Sequence, residues 1–117
     1  MATQAIPREQ WNSFFDGFSK DHLGQSATLE VFGSAIGDQT VAEQQLFGGV
    51  SADLKDRESR IAIQLGPSID DGTTHSVSAP TEVWLKDGAD EAETRLEIRS
   101  SDGSTFILRF AQEPLLT

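Results

Sequence analysis

The chain has 117 residues, 37% of them hydrophobic, and no cysteine. That length suits one domain with a modest core, and the missing thiols exclude disulfides, thiolate metal sites and a cysteine nucleophile. Nineteen acidic residues against nine basic ones give a formal charge of -10. Such a body repels phosphate, and its densest basic window, Lys55, Arg57 and Arg60, is diluted by Asp53, Asp56 and Glu58. Nucleic acid and anionic membranes are therefore not expected partners. The opening residues carry no basic segment followed by an apolar one, and no run approaches the roughly 18 apolar residues that span a bilayer. The expectation is a cytoplasmic protein.

The first element in chain order is a helix. Trp11, Phe14, Phe15 and Phe18 recur at the i, i+3, i+4, i+7 spacing of one helical face. Pro7 suits the first turn, where its missing N–H would have had no partner, and Gly24 suits the stop. The spacing predicts a helix over residues 7–23. Gly17 inside it costs up to about 1 kcal/mol relative to Ala, so the aromatic face must pack on something to hold the helix.

After Gly24 the apolar period changes from 3.6 to 2. Six runs read as strands: Leu29 and Val31; Leu46 to Leu54 through Gly48-Gly49; Ile61, Ile63 and Leu65; Thr81 to Lys86; Thr94 to Arg99; and Thr105 to Phe110. No helical segment separates any two of them, which favours an antiparallel meander over parallel crossovers. The Gly48-Gly49 pair marks a bend or bulge. Residues 33–39, 66–74 and 87–93 read as loops, and 112–117 as a tail.

The last hairpin can be read to its register. A two-residue Asp102-Gly103 turn would set Leu96 opposite Arg109. A three-residue loop with Gly103 at positive φ sets Ile98 opposite Phe106 and Leu96 opposite Leu108, keeping one face apolar. Ile107 and Arg109 then lie on the other face, where the helix is expected to cover Ile107 or else to plug one end of a curled sheet.

Three constellations could carry chemistry. In a meander the loops after the second and fourth strands share an end, which gathers Asp53, Asp56 and Glu58 with Asp87, Asp90, Glu91 and Glu93. Asp53, Asp56, Asp87, Asp90 and Glu91 could supply oxygen ligands to a divalent cation. Their spacing does not match a calcium loop, and Lys55, Arg57 and Lys86 sit among them. A solvated, charge-mixed rim is the plain alternative. His22 suits the last helical turn as a partner of the helix dipole. His75, beside Asp70, Asp71 and several hydroxyls, could be drawn as an acid–base site, although no nucleophile motif accompanies it.

Trp84 alternates with Val83 and Leu85 and so shares a face with Glu82 and Lys86. Pairing Leu85 with Leu96 sets Trp84 opposite Glu97 and Glu82 opposite Arg99. If the helix covers Trp84 the residue is core; if not, Trp84, Glu82, Lys86, Glu97 and Arg99 form a surface for a partner. Because the helix needs a surface to pack on, the covered reading is the expected one.

The run Ile6-Pro7-Arg8-Glu9-Gln10-Trp11-x-x-Phe14-Phe15, with Glu82-Val83-Trp84-Leu85 and Leu108-Arg109-Phe110, resembles a family of small uncharacterised bacterial proteins, a domain of unknown function, from about Ile6 to Phe110. The resemblance implies a bacterial protein and carries no catalytic residues or cofactor with it. The sequence therefore predicts a single α+β domain over residues 1–117. An N-terminal amphipathic helix packs on a twisted, mostly antiparallel six-stranded meander, of which a small open barrel is one form. Its expected role is a non-enzymatic binding or protein-interaction module that meets a protein partner or itself. The alternative is a small-ligand or divalent-cation protein using the acidic loops.

Overall fold

The computed structural model describes residues 2–33, 37–54, 59–66, 72–87 and 94–110, and the side chains of residues 2, 3, 37–40 and 87 are left out of the description. The elements are β1 (Ala2–Ala5), a 3-10 turn (Arg8–Gln10), α1 (Trp11–His22), β2 (Ser26–Gly33), β3 (Gly37–Asp53), β4 (Arg60–Gly66), β5 (Thr73–Ser78), β6 (Pro80–Asp87), β7 (Thr94–Ser100) and β8 (Thr105–Phe110). One antiparallel sheet takes them in the order β1-β6-β7-β8-β2-β3-β4-β5.

The α+β class and the antiparallel pairing are as expected, but among the described residues the sheet has eight strands where the sequence predicts six. β1 and β5 are the additions, and both are edges. Each lacks a run of alternating large apolar residues because an edge strand buries little. The pairing also departs from a meander at two places. β8 returns to β2, setting Leu29 beside Leu108 and Ala27 beside Phe110, and β1 pairs with β6. β3 starts at Gly37, inside the segment read as a loop.

Where local chemistry fixed the geometry, the reading holds. Gly24 has φ 83 and Gly103 φ 94. The β7–β8 register sets Ile98 beside Phe106 and Leu96 beside Leu108, closed by the Ser104 N–H donated to Asp102 Oδ1 at 2.9 Å. The β3–β4 ladder shifts register between Phe47 and Gly49, which is the bulge expected at the glycine pair.

β5 runs into β6 with only Ala79 between them, and Ala79 has φ 49. Its N–H donates to the carbonyl of Ser59 just before β4, and its carbonyl accepts the N–H of Ser101 just after β7. β4 and β7 therefore flank one bent strand, and the sheet curls without closing into a ring.

Inside the curl lies α1. The 3-10 turn replaces its expected first turn, so the helix begins at Trp11 and not at residue 7. Trp11, Phe15 and Phe18 are buried together with Leu29, Phe47, Ile61, Ile63, Val83, Leu96, Ile98 and Leu108, while Phe14 is half-buried at the rim. The Trp11 Nε1–H donates to the Ile6 carbonyl at 2.8 Å, so its one polar atom is satisfied within the core. His22 packs at a tilt against both Phe18 and Phe110, at 4.4 and 4.7 Å between ring centroids, the two phenyl rings also touching each other. The helix thus fills the inner face and leaves the outer face, with Ile107, uncovered.

α1 also lies along the second half of β3, beyond the point where β2 has ended. Ser19 Oγ accepts the Val50 N–H at 2.9 Å and donates to the Val50 carbonyl at 3.0 Å, so one hydroxyl takes the place of a neighbouring strand. Ser19→Ala strands both backbone groups in a partly buried setting, and we expect a loss of about 1–2 kcal/mol by urea unfolding. Gly17 faces open space, with nothing within 4 Å of where its Cβ would sit. Gly17→Ala should therefore stabilise the protein by roughly 0.5–1 kcal/mol, read as a higher Tm.

Candidate functional site

The inner face consists of core, so the side chains that can meet a partner are those pointing the other way. On β6 they are Glu82, Trp84 and Lys86; on β7 Arg95, Glu97 and Arg99; on β8 Ile107 and Arg109; and on β2 Glu30. The ladders set Trp84 beside Glu97, Glu97 beside Ile107 and Ile107 beside Glu30 in one row. Lys86, Arg95 and Arg109 stand abreast in the next. Glu82 pairs with Arg99 in a third.

The five residues expected on this surface are brought together. Glu97 is at the centre, 7% exposed although charged. Lys86 Nζ lies 2.7 Å from one of its carboxylate oxygens, and Arg99 Nη2 lies 3.4 Å from the other. Arg99 Nη1 reaches Glu82 Oε1 at 3.1 Å, and that same oxygen accepts the Trp84 indole N–H at 3.0 Å. Trp84 is half-buried and tied to the network by its polar edge. The helix does not cover it, contrary to the sequence expectation, because its aromatic face is taken up by the opposite side of the sheet. A fourth pair, Arg109 Nη2 to Glu30 Oε2 at 3.2 Å, extends the network to β2. Sequence reasoning missed it, since it depends on the β8–β2 return.

The charge balance of this face differs from that of the chain. Among the described residues of these strands, Lys86, Arg95, Arg99 and Arg109 share the face with Glu30, Glu82 and Glu97, four cations beside three anions in a molecule of net charge -10. Burial acts to raise the Glu97 pKa, but the Lys86 ammonium and the Arg99 guanidinium outweigh it and hold the carboxyl below its ordinary value. His75, half-buried on β5, has its pKa lowered by burial. Both shifts act in the same direction. The unfolded chain binds the extra proton first, so stability is complete above the unfolded pKa and falls as the pH drops through the folded one. Acid should thus remove stability in two stages, the first below about 6.5 from His75 and the second below about 4.3 from Glu97. In melting curves against pH, His75→Asn should flatten the first stage and Glu97→Gln should make the second shallower, its remainder belonging to Asp102, whose carboxyl the Ser104 N–H holds low. A first-stage slope unchanged by His75→Asn, or a second-stage slope unchanged by Glu97→Gln, would contradict the assignment.

Asp53 is exposed at the end of β3. Asp56, Asp90 and Glu91 lie outside the described residues, as does the Asp87 side chain. Among the described residues no three metal-ligating side chains come together. The Asp70 and Asp71 considered with His75 are likewise outside them. An open groove of about 390 Å³ lies beside the glycine bulge, lined by neutral residues including Ser19, Ser51, Gln64 and Thr74.

Comparison with known proteins agrees with the motifs at both ends of the chain. A family model described as "Family of unknown function (DUF5335)" matches residues 2–116. The chain belongs to this family. An uncharacterised protein of Aquifex aeolicus (strain VF5) is 36% identical over 109 residues, covering 93% of this chain and 92% of the relative. The bacterial relationship expected from the sequence is thus shown, and DUF5335 brings no assigned activity. No solved structure matches. No described helix is long and apolar enough to cross a membrane.

Proposed function

We propose that this DUF5335 member is a binding module that docks an acidic segment of another protein on the outer face of β6, β7 and β8. One observation carries the reading. Trp84 lies on an open sheet face among lysine and arginine, in a chain that is otherwise strongly acidic. Tryptophan and arginine are the residue types that dominate protein–protein hot spots. The surrounding ion pairs fix their positions before a partner arrives, which reduces the ordering cost of binding. The grouping of Lys86, Arg95, Arg99 and Arg109 on one face gives an acidic partner a local attraction in a chain of net charge -10.

The test replaces Trp84 with a photo-crosslinking phenylalanine analogue in cells that express the protein. A discrete adduct with one other protein is expected, and it should disappear when Arg95→Glu is added. No adduct, or one indifferent to the charge reversal, would overturn the reading.

A further inference from the structure

The second feature that could receive a partner is the free edge of β5. Its backbone directions follow from the register and one bond. Ala79 donates to Ser59, so the pair Ala79 and Ser59 is hydrogen-bonded. Bonded and non-bonded pairs alternate along an antiparallel ladder. Val77, His75 and Thr73 therefore direct their N–H and C=O groups at β4, opposite Ile61, Ile63 and Leu65. Ser78, Ser76 and Thr74 direct theirs away from it. Ser78 supports this placement, because its carbonyl accepts Ser100 Oγ at 2.8 Å on the β7 side. Thr74 and Ser76 are exposed, and among the described residues no strand pairs with this edge.

Natural edge strands are usually blunted by charge, proline or a covering element. Thr73-Thr74-His75-Ser76-Val77-Ser78 contains no proline and no acidic or cationic residue apart from His75, whose pKa burial keeps low. In a chain of -10, this is a stretch of sheet edge that two copies can bring together without opposing carboxylates. The outward groups are also self-complementary. Thr74 and Ser76 flank a single residue, so a two-fold axis at His75 places each opposite the other on the second chain.

We propose that the chain pairs with a second copy of itself through β5, the two strands antiparallel about a two-fold axis at His75. Thr74 of one copy then exchanges both backbone bonds with Ser76 of the other, making four bonds in all and joining the two sheets. Six residues a side form a small interface, so the dimer is weak, with Kd on the order of 10–100 µM. Two bodies of like charge repel, so salt tightens this dimer by several-fold, whereas it loosens a charge-complementary contact.

Sedimentation velocity on the full chain from about 5 to 500 µM tests the register directly. The wild type should pass from monomer to dimer, more completely at higher salt. The double variant T74K/S76K sets lysine opposite lysine across the axis and should remain monomeric. T74K/S76E sets lysine opposite glutamate and should restore the dimer. Both substituted positions are solvent-exposed, so circular dichroism should show the same fold throughout. A wild type that stays monomeric over the range overturns the proposal, as does a dimer unaffected by T74K/S76K or one that T74K/S76E fails to restore. Trp84→Ala should leave the dimer intact, which separates this edge from the outer face.

Discussion

Phe15→Ala should lower the unfolding free energy by about 3–5 kcal/mol, a large part of the 5–15 kcal/mol that holds a small domain together. Phe15 is 1% exposed, at the middle of the helix face that fills the curled sheet. Removing the ring leaves a cavity lined by side chains from both the helix and the strands, which a curled sheet cannot collapse to fill. Phe14 is the internal control. It is adjacent in sequence and stacks on Phe18 at 5.5 Å between centroids, but it is only half-buried. Phe14→Ala should cost about 1–2 kcal/mol, because water already reaches one side of the ring. Urea unfolding of the two variants measures the difference, and equal losses would mean that the helix is rotated from the position described.

Ala79→Pro should cost at least about 3 kcal/mol. Proline fixes φ near -65°, whereas Ala79 has φ 49, and it removes the N–H that donates to Ser59. Both losses fall where one strand passes from its β4 neighbour to its β7 neighbour, so the two halves of the sheet separate together. Ala79→Gly accepts the same φ and keeps the N–H, and it should hold wild-type stability or slightly more. Thermal unfolding of the pair distinguishes a corner that depends on backbone conformation from a loop that tolerates any residue. Equal melting points for Pro and Gly would remove the corner from the account.

The parts of the fold that were legible in sequence are those specified by near neighbours. The β7–β8 register followed from one turn, because only one loop length keeps Leu96, Ile98, Phe106 and Leu108 on a common face. Pairing Leu85 with Leu96 then placed Trp84 beside Glu97 and Glu82 beside Arg99, which is the core of the candidate surface. What was not legible depends on distance along the chain or on edges. Nothing in Ser26–Gly33 indicates that its other neighbour is Thr105–Phe110, so the Glu30–Arg109 pair was missed. β5 was missed because Val77 is its one large apolar residue and its hydroxyls resemble those of a loop. The helix was expected over Trp84 because the sequence shows an apolar face and an uncovered indole, but not which side of the sheet the curl encloses.

The helix seals the inner face with Trp11 and leaves Trp84 as the tryptophan open to contact from outside. Acrylamide quenching of Trp84→Phe beside the wild type tests it in one measurement, since these are the two indoles in the chain. The quenchable, red-shifted emission should be lost with Trp84, and the remaining Trp11 should emit to the blue and be shielded. A Trp84→Phe protein whose emission is quenched as freely as the wild type would contradict it.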